Sequence, residues 1–178
     1  MLIWQARLAY PLYAWGLLLL AAGELLRLAS LRASGKATRT RKVGARRLVT
    51  WGLYAHTRNP LYIGNFLLWL GALLFAGGDW FYWLLLLVAA WYLWKYALII
   101  ALEETTLWEL FGSQYDDFRQ AVPRIIPRPW RFRRKRPPAA LPPEGLHSWR
   151  YAFESERSTL AVVILVLAAA VISTYLKR

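Results

Sequence analysis

Four apolar runs constrain this chain more than any other feature: residues 8–31, 61–76, 80–102 and 160–176. A helix needs about 20 apolar residues to cross roughly 30 Å of hydrocarbon. The first and third runs reach that length and the other two approach it, 61–76 being the shortest. The predicted fold is all-α, an integral membrane protein of about four transmembrane helices. Pro11 falls in the first turns of the first run, where a missing N–H does little harm. Gly77, Gly78 and Asp79 separate the second and third runs, which are expected to form a tight helical hairpin. The first run is too long for a signal peptide and has no small-residue cleavage site after it, so it is expected to stay in the membrane.

Orientation follows from where the cations lie. Between Arg27 and Arg58 the chain carries Arg32, Lys36, Arg39, Arg41, Lys42, Arg46 and Arg47 and no acid. Between Arg119 and Arg136 it carries Arg124, Arg128, Arg131, Arg133, Arg134 and Lys135, again with no acid. Positive loops stay in the cytoplasm, and one topology puts both stretches there, with both termini and the Gly-Gly-Asp turn outside. Lys177 and Arg178 are a mild exception. The formal net charge of +13 would suggest nucleic acid on a soluble protein. Here the cations lie between membrane runs, and 11 Trp and 10 Tyr suit the bilayer interface, so the expected partners are anionic lipids and no nucleic acid. The chain has no cysteine, which excludes disulfides and thiol chemistry, and His56 and His147 are too few for a typical zinc site, so no metal is expected.

The segment between the third and fourth runs is polar. Residues 103–118 are expected to form a helix, a Gly-Ser break and a further helical turn, and five of the ten acids fall here: Glu103, Glu104, Glu109, Asp116 and Asp117. Pro123, Pro127 and Pro129 stop any helix. Residues 137–143 are a Pro-rich, extended linker, and 146–157 mixes aromatic and charged residues in the manner of a helix lying on the membrane surface.

Two stretches carry more specification than an anchor needs. In Gly52-Leu-Tyr-Ala-His-Thr-Arg-Asn-Pro-Leu-Tyr-Ile-Gly64, Arg58 precedes a helix that Pro60 is well placed to start. The free N–H groups and positive end of that helix, with Arg58, suit a carboxylate or phosphate. The competing reading has Arg58 snorkelling to headgroups, with Tyr54 and Tyr62 in an aromatic belt. In the second stretch Glu103 and Glu104 close an apolar span, where adjacent carboxylates are unfavourable unless a cation meets them. Their sign draws them towards Arg58 or a cationic ligand. The bland alternative is a solvated helix end. An anion site and a cation site on one membrane face suit a zwitterionic amino acid bearing a sulfonium.

These residues resemble the isoprenylcysteine carboxyl methyltransferase and phospholipid methyltransferase family of integral membrane enzymes. Its pattern of Arg-His-Pro-x-Tyr-x-Gly, Glu-Glu-x-x-Leu, Phe-Gly-x-x-Tyr and Val-Pro-Arg with a final Ile-Pro corresponds to Arg58-Asn59-Pro60-Leu61-Tyr62-Ile63-Gly64, Glu103-Glu104-Thr105-Thr106-Leu107, Phe111-Gly112-Ser113-Gln114-Tyr115 and Val122-Pro123-Arg124-Ile125-Ile126-Pro127. The combined pattern, in order and at fixed spacing, is more specific than either half. The resemblance covers about 49–129 and implies S-adenosylmethionine as methyl donor, held in a cytoplasmic cofactor-binding lobe at the ends of the hairpin. By motif, Tyr54, Arg58, Asn59, Pro60, Tyr62, Gly64, Glu103 and Glu104 are carried over as cofactor-binding, with Tyr115 and Arg124 as pocket walls. Arg58 is expected to hold the cofactor carboxylate. Glu104 is expected to orient the cofactor amino group or the acceptor.

The chain departs from the pattern at three places. Asn59 stands where histidine is usual, which implies no titrating role there; His56 lies three residues earlier. Residues 98–102 are Leu-Ile-Ile-Ala-Leu where the carboxyl methyltransferase branch carries an arginine, and the nearest base is Lys95. The last span lies outside the family core. A methyltransferase domain at 1–157 and a C-terminal transmembrane helix at 158–178 are expected; the resemblance implies methyl transfer to O, N or S of a lipophilic acceptor, and the lack of a eukaryotic retention or transit signal points to a prokaryotic plasma membrane. Oligomeric state is left open. A scaffold for anionic lipids and, further off, a nicotinamide-dependent membrane reductase are the alternatives.

Overall fold

The structure, a computed structural model, describes residues 12–35, 47–77, 81–127 and 146–176. The linker at 137–143, Gly78 and Asp79 of the expected turn, and much of both basic stretches lie outside these residues. Among the described residues there is no strand. The elements are α1 (Leu12–Ser34), a short 3-10 turn (Gly52–Ala55), α2 (Pro60–Ala76), α3 (Phe81–Phe111), α4 (Ser113–Ala121) and α5 (Trp149–Leu176).

Three helices, α1, α3 and α5, are long and apolar enough to cross a membrane. The fourth expected span, α2, has 17 residues, about 25 Å of helix and so at the lower limit for a crossing. The apolar side chains of α3 have little protein to cover them: Trp83, Leu86, Leu87, Trp91, Leu93, Trp94, Leu98 and Leu102 are all exposed. A face of that size on a helix long enough to span the bilayer suits an apolar solvent, and the protein is an all-α integral membrane protein.

The described residues form two compact units, and α1, α2, α3 and α5 each contribute to both. The first gathers residues up to 25, 64–95 and those from 156 onward. In it α1 and α2 run antiparallel on glycines. A Cβ on Gly16 would lie 2.8 Å from the Gly71 carbonyl oxygen, and one on Gly23 would lie 2.8 Å from that of Gly64. Both pairs are seven residues apart on their own helix. That spacing presents one face every two turns and lets the backbones meet, as small residues do where lipid gives no hydrophobic drive. The Phe66 ring of α2 lies tilted against that of Tyr92 of α3, centres 5.2 Å apart. Phe75, Ala76 and Ala170 form a buried cluster with Tyr13, Leu167 and Val171 around it.

The second unit, residues 26–63 and 96–155, carries the polar chemistry. Tyr62 of α2 meets Tyr96 of α3 at 4.9 Å. The pairs 62/96 and 66/92 advance on one helix as they retreat on the other, so α2 and α3 are the expected antiparallel hairpin. The break after α3 is a glycine effect. Gly112 has φ +49, which L side chains rarely adopt; its N–H caps the Trp108 carbonyl at 2.8 Å, and its own carbonyl accepts from Tyr115 and Asp116 to begin α4. The turn lays Tyr115, Phe118 and Val122, at helical spacing, on Leu48, Leu107 and Phe111.

The expected surface helix at 146–157 is not separate. It is the opening of one continuous α5. Ser148 Oγ accepts from the Tyr151 N–H at 3.2 Å to cap the start, no Gly or Pro interrupts the helix from Trp149 to Leu176, and Glu156 is fully buried rather than facing headgroups. The approach to α5 is clasped to the end of α1: Arg32 Nε donates to the His147 carbonyl and the His147 N–H to that of Arg32, both at 2.9 Å. The Arg32 guanidinium also lies 4.1 Å above the Trp149 ring.

Candidate active site

The 3-10 turn and the start of α2 set out the first half of the site. Pro60 opens α2, as its fixed φ and missing N–H favour, and the Asn59 carbonyl takes the first helical bonds, from Tyr62 N and Ile63 N at 3.2 and 3.3 Å. Arg58 therefore stands just outside the helix, with its own N–H given to the Pro123 carbonyl at 2.9 Å. The second half comes from the end of α3, from α4 and from the irregular segment after it.

Glu104 is the centre. Its Oε1 lies 2.8 Å from Arg58 Nη1, the two side chains only 13% and 10% exposed. Arg124 grips the same carboxylate with a fork, Nε to Oε1 at 3.1 Å and Nη2 to Oε2. Arg58 Nη1 also donates to the Tyr115 hydroxyl at 3.1 Å. The expectation that opposite charge would draw the Glu pair to Arg58 holds for Glu104. Two guanidiniums on one carboxylate leave an excess positive charge, and Arg58 Nε is buried without a hydrogen-bond partner. Such an orphaned N–H is a demand for an acceptor. Burial and the Glu104 carboxylate push the Tyr115 phenol up, and the hydrogen bonds to Glu104 raise the already high Arg124. At neutral pH the phenol is neutral and the Arg124 guanidinium is charged.

Glu103 has different company. Its Oε1 accepts from the Tyr62 hydroxyl at 2.7 Å, and the Tyr96 ring, two helical turns earlier on α3, lies tilted against the Tyr62 ring. Tyr54 lies within electrostatic reach of Glu103; its phenol is pushed up to about 12 by burial, a hydrogen bond with Ser34 working the other way and Glu103 adding to the rise. Glu103 is thus a carboxylate among tyrosines, and Glu104 a carboxylate among arginines.

The structure brings Arg58, Tyr62, Glu103, Glu104, Tyr115 and Arg124 together in these bonds, with Tyr54 beside Glu103. Pro60 and Gly64 take scaffold positions, Pro60 at the helix start and Gly64 against Gly23. Asn59 Nδ2 donates to the Arg124 carbonyl at 2.9 Å. Three participants had no signal as single residues: Thr57, whose hydroxyl donates to the Ile125 carbonyl at 2.9 Å; Ser34, at the end of α1; and Tyr96, whose only mark is its position two helical turns before Glu103. Among the described residues no group of acids and histidines is arranged to hold a metal ion.

The chain is similar in sequence to known proteins. Two relatives are the protein-S-isoprenylcysteine O-methyltransferases of Mus musculus, 30% identical over 65% of this chain and 41% of the relative, and of Schizosaccharomyces pombe, 33% identical over 45% and 33%. The Homo sapiens protein of the same name is 29% identical over 63% of this chain and 40% of its own length. The chain thus matches well under half of each of these relatives. No solved structure matches it. The family model described as phospholipid methyltransferase matches residues 12–114, more than half of the chain and reaching from α1 into the start of α4, and the chain belongs to that family.

Proposed function

We propose that this chain is an S-adenosylmethionine-dependent membrane methyltransferase acting on a lipophilic acceptor. The observation that carries the reading is the joining of two distant motif segments into one cluster, Arg58 and Arg124 on Glu104 beside the Tyr62–Glu103 pair. The family match favours this over a lipid scaffold or a nicotinamide reductase.

The residues fit such a cofactor in kind. The excess positive charge and the orphaned Arg58 Nε suit its carboxylate. Glu103, with the tyrosine faces around it, suits its ammonium or sulfonium. Glu104, already held by two arginines, keeps both in place rather than facing a cation alone, which moves the cation-binding role from Glu104 to Glu103. Pro60 and Gly64 serve indirectly, by starting α2 and admitting α1 to it. When bound, the cofactor supplies a methyl group on a cationic sulfur, which an O, N or S lone pair of the acceptor takes as the C–S bond breaks. The chain's share is to hold donor and acceptor in line and keep water out.

The positive-inside pattern of the basic stretches supports a site at the cytoplasmic face, in a prokaryotic plasma membrane with anionic lipids around those stretches. The proposed methyltransferase domain is residues 1–157, and α5, which begins at Trp149, continues past that boundary to Leu176. The experiment supplies S-adenosylmethionine carrying a labelled methyl group to the detergent-purified chain, with a prenylated cysteine acid and a phospholipid amine assayed side by side. Label on either supports the reading and chooses its acceptor. Label on neither, nor on lipid extracted with the protein, contradicts it.

A further inference from the structure

The irregular segment after α4 has no helix of its own to hold it, yet Arg124 must present a two-pronged fork to Glu104. Four hydrogen bonds from residues 57–59 fix its backbone. Arg58 N–H donates to the Pro123 carbonyl at 2.9 Å, Asn59 Nδ2 to that of Arg124 at 2.9 Å, and the Thr57 hydroxyl to those of Ile125 at 2.9 Å and Arg124 at 3.3 Å. Thr57 and Asn59 are 3% and 8% exposed, so the side chains that donate these bonds are themselves shielded from water. The Thr57 proton is shared between two carbonyls, and its oxygen accepts from Asn59 N at 3.5 Å, so the hydroxyl's one proton is committed within the protein.

We propose that Thr57 and Asn59 are positioning residues, a latch that sets the backbone of 123–125 so that Arg124 reaches Glu104. They govern cofactor affinity through Arg124 without touching the cofactor. The Arg124 side chain is half exposed, and an unanchored arginine of that kind gives up considerable rotamer freedom to hold a bidentate geometry. An anchored backbone removes much of that loss. The latch also gives Asn59 a use that asks for a donor and no charge. What is bound rests on the methyltransferase reading; the latch itself does not.

The test uses the full chain in detergent with Thr57→Val, Thr57→Ser, Asn59→Asp and Arg124→Ala. One readout is free of ligand: the rate at which trypsin cuts after Arg124. The other is S-adenosylhomocysteine affinity by calorimetry. Thr57→Val and Asn59→Asp, the second placing an acceptor against a carbonyl, are expected to speed cleavage and to weaken affinity about tenfold, the scale of one lost buried hydrogen bond. Thr57→Ser, which keeps the hydroxyl, recovers wild-type values. In the Arg124→Ala background Asn59→Asp weakens affinity no further, the non-additivity of residues acting through one group. Unchanged cleavage in both variants, or an equal loss of affinity with and without the Arg124 side chain, overturns the latch. A wild-type chain that binds no S-adenosylhomocysteine overturns the methyltransferase reading instead, and cleavage still decides the latch.

Discussion

Arg58 and Glu104 come from segments far apart in the sequence and meet at 2.8 Å with little of either side chain exposed. A pair so enclosed is held by its geometry. Removing one partner leaves a charge with neither water nor counter-ion, a loss of about 3 kcal/mol or more. Glu104→Gln strands the enclosed Arg58 guanidinium and releases the half-exposed Arg124. It is expected to lower thermal stability in detergent by an amount of that order and to weaken S-adenosylhomocysteine binding at least about tenfold. A variant with wild-type melting and wild-type affinity removes Glu104 from the centre of the site.

Arg124→Lys separates charge from shape. The fork to both Glu104 oxygens is lost while the charge stays. Because the Arg124 side chain is half exposed, stability should change by less than about 1 kcal/mol, whereas cofactor affinity should fall several-fold. Equal affinity in the two proteins means that charge alone suffices there.

The Tyr62 hydroxyl bonds a carboxylate at 2.7 Å. Tyr62→Phe keeps the ring on Tyr96 and deletes that bond, worth about 1.5–3 kcal/mol when one partner is charged. Cofactor affinity, followed by calorimetry, is expected to fall about tenfold, alongside a loss of stability of that order. A collapse in stability with unaltered affinity assigns the bond to folding and not to the site.

Two glycines test packing against conformation. A methyl group at Gly71 would meet the Gly16 carbonyl oxygen and Leu20 N, both backbone, at 2.8 Å. Gly71→Ala must part α1 from α2, and about 1–3 kcal/mol of stability should go. At Gly112 a methyl group meets nothing within 4 Å, but φ is +49. Gly112→Ala should therefore lose only about 1 kcal/mol, from backbone strain. Melting curves of the two variants give the order directly, and Gly112→Ala as the more damaging change contradicts the close approach of the helices.

Tyr54 gives a signature at high pH. Its phenol titrates near 10 in the unfolded chain and is held up at about 12 in the folded one. The unfolded state loses the proton first, so this contribution is whole below pH 10 and drains away as pH climbs towards 12. Tyr54→Phe should show a shallower fall in stability across that window than the wild type. Parallel curves mean that Tyr54 is not buried beside Glu103.

Much of the fold is legible because membrane helices announce themselves by length and hydropathy. Both α1 and α3 follow their apolar runs, and the α2–α3 hairpin follows from the short Gly-Gly-Asp break. The opening of α5 misleads for a local reason: Trp149, Tyr151 and Phe153 among charges look like an interface helix, and no sequence period says that Glu156 is buried. The meeting of Arg58 with Glu104 is foreseeable from sign alone. The division of labour between neighbouring carboxylates is not, since it depends on Arg124 reaching Glu104 and Tyr62 reaching Glu103 across a fold. Thr57 leaves no mark because its role is to bond backbone carbonyls, which carry no side-chain identity. Gly64 stands within a motif, but its contact with Gly23 shows only once α1 and α2 are packed.

The central claim is that this cluster binds the methyl donor. Calorimetric titration of the purified chain with S-adenosylhomocysteine tests it most directly. Saturable binding at one site, lost in Glu104→Gln, is the predicted result. Absence of binding by a chain that still melts cooperatively would contradict the account and leave a fold of this family without its chemistry.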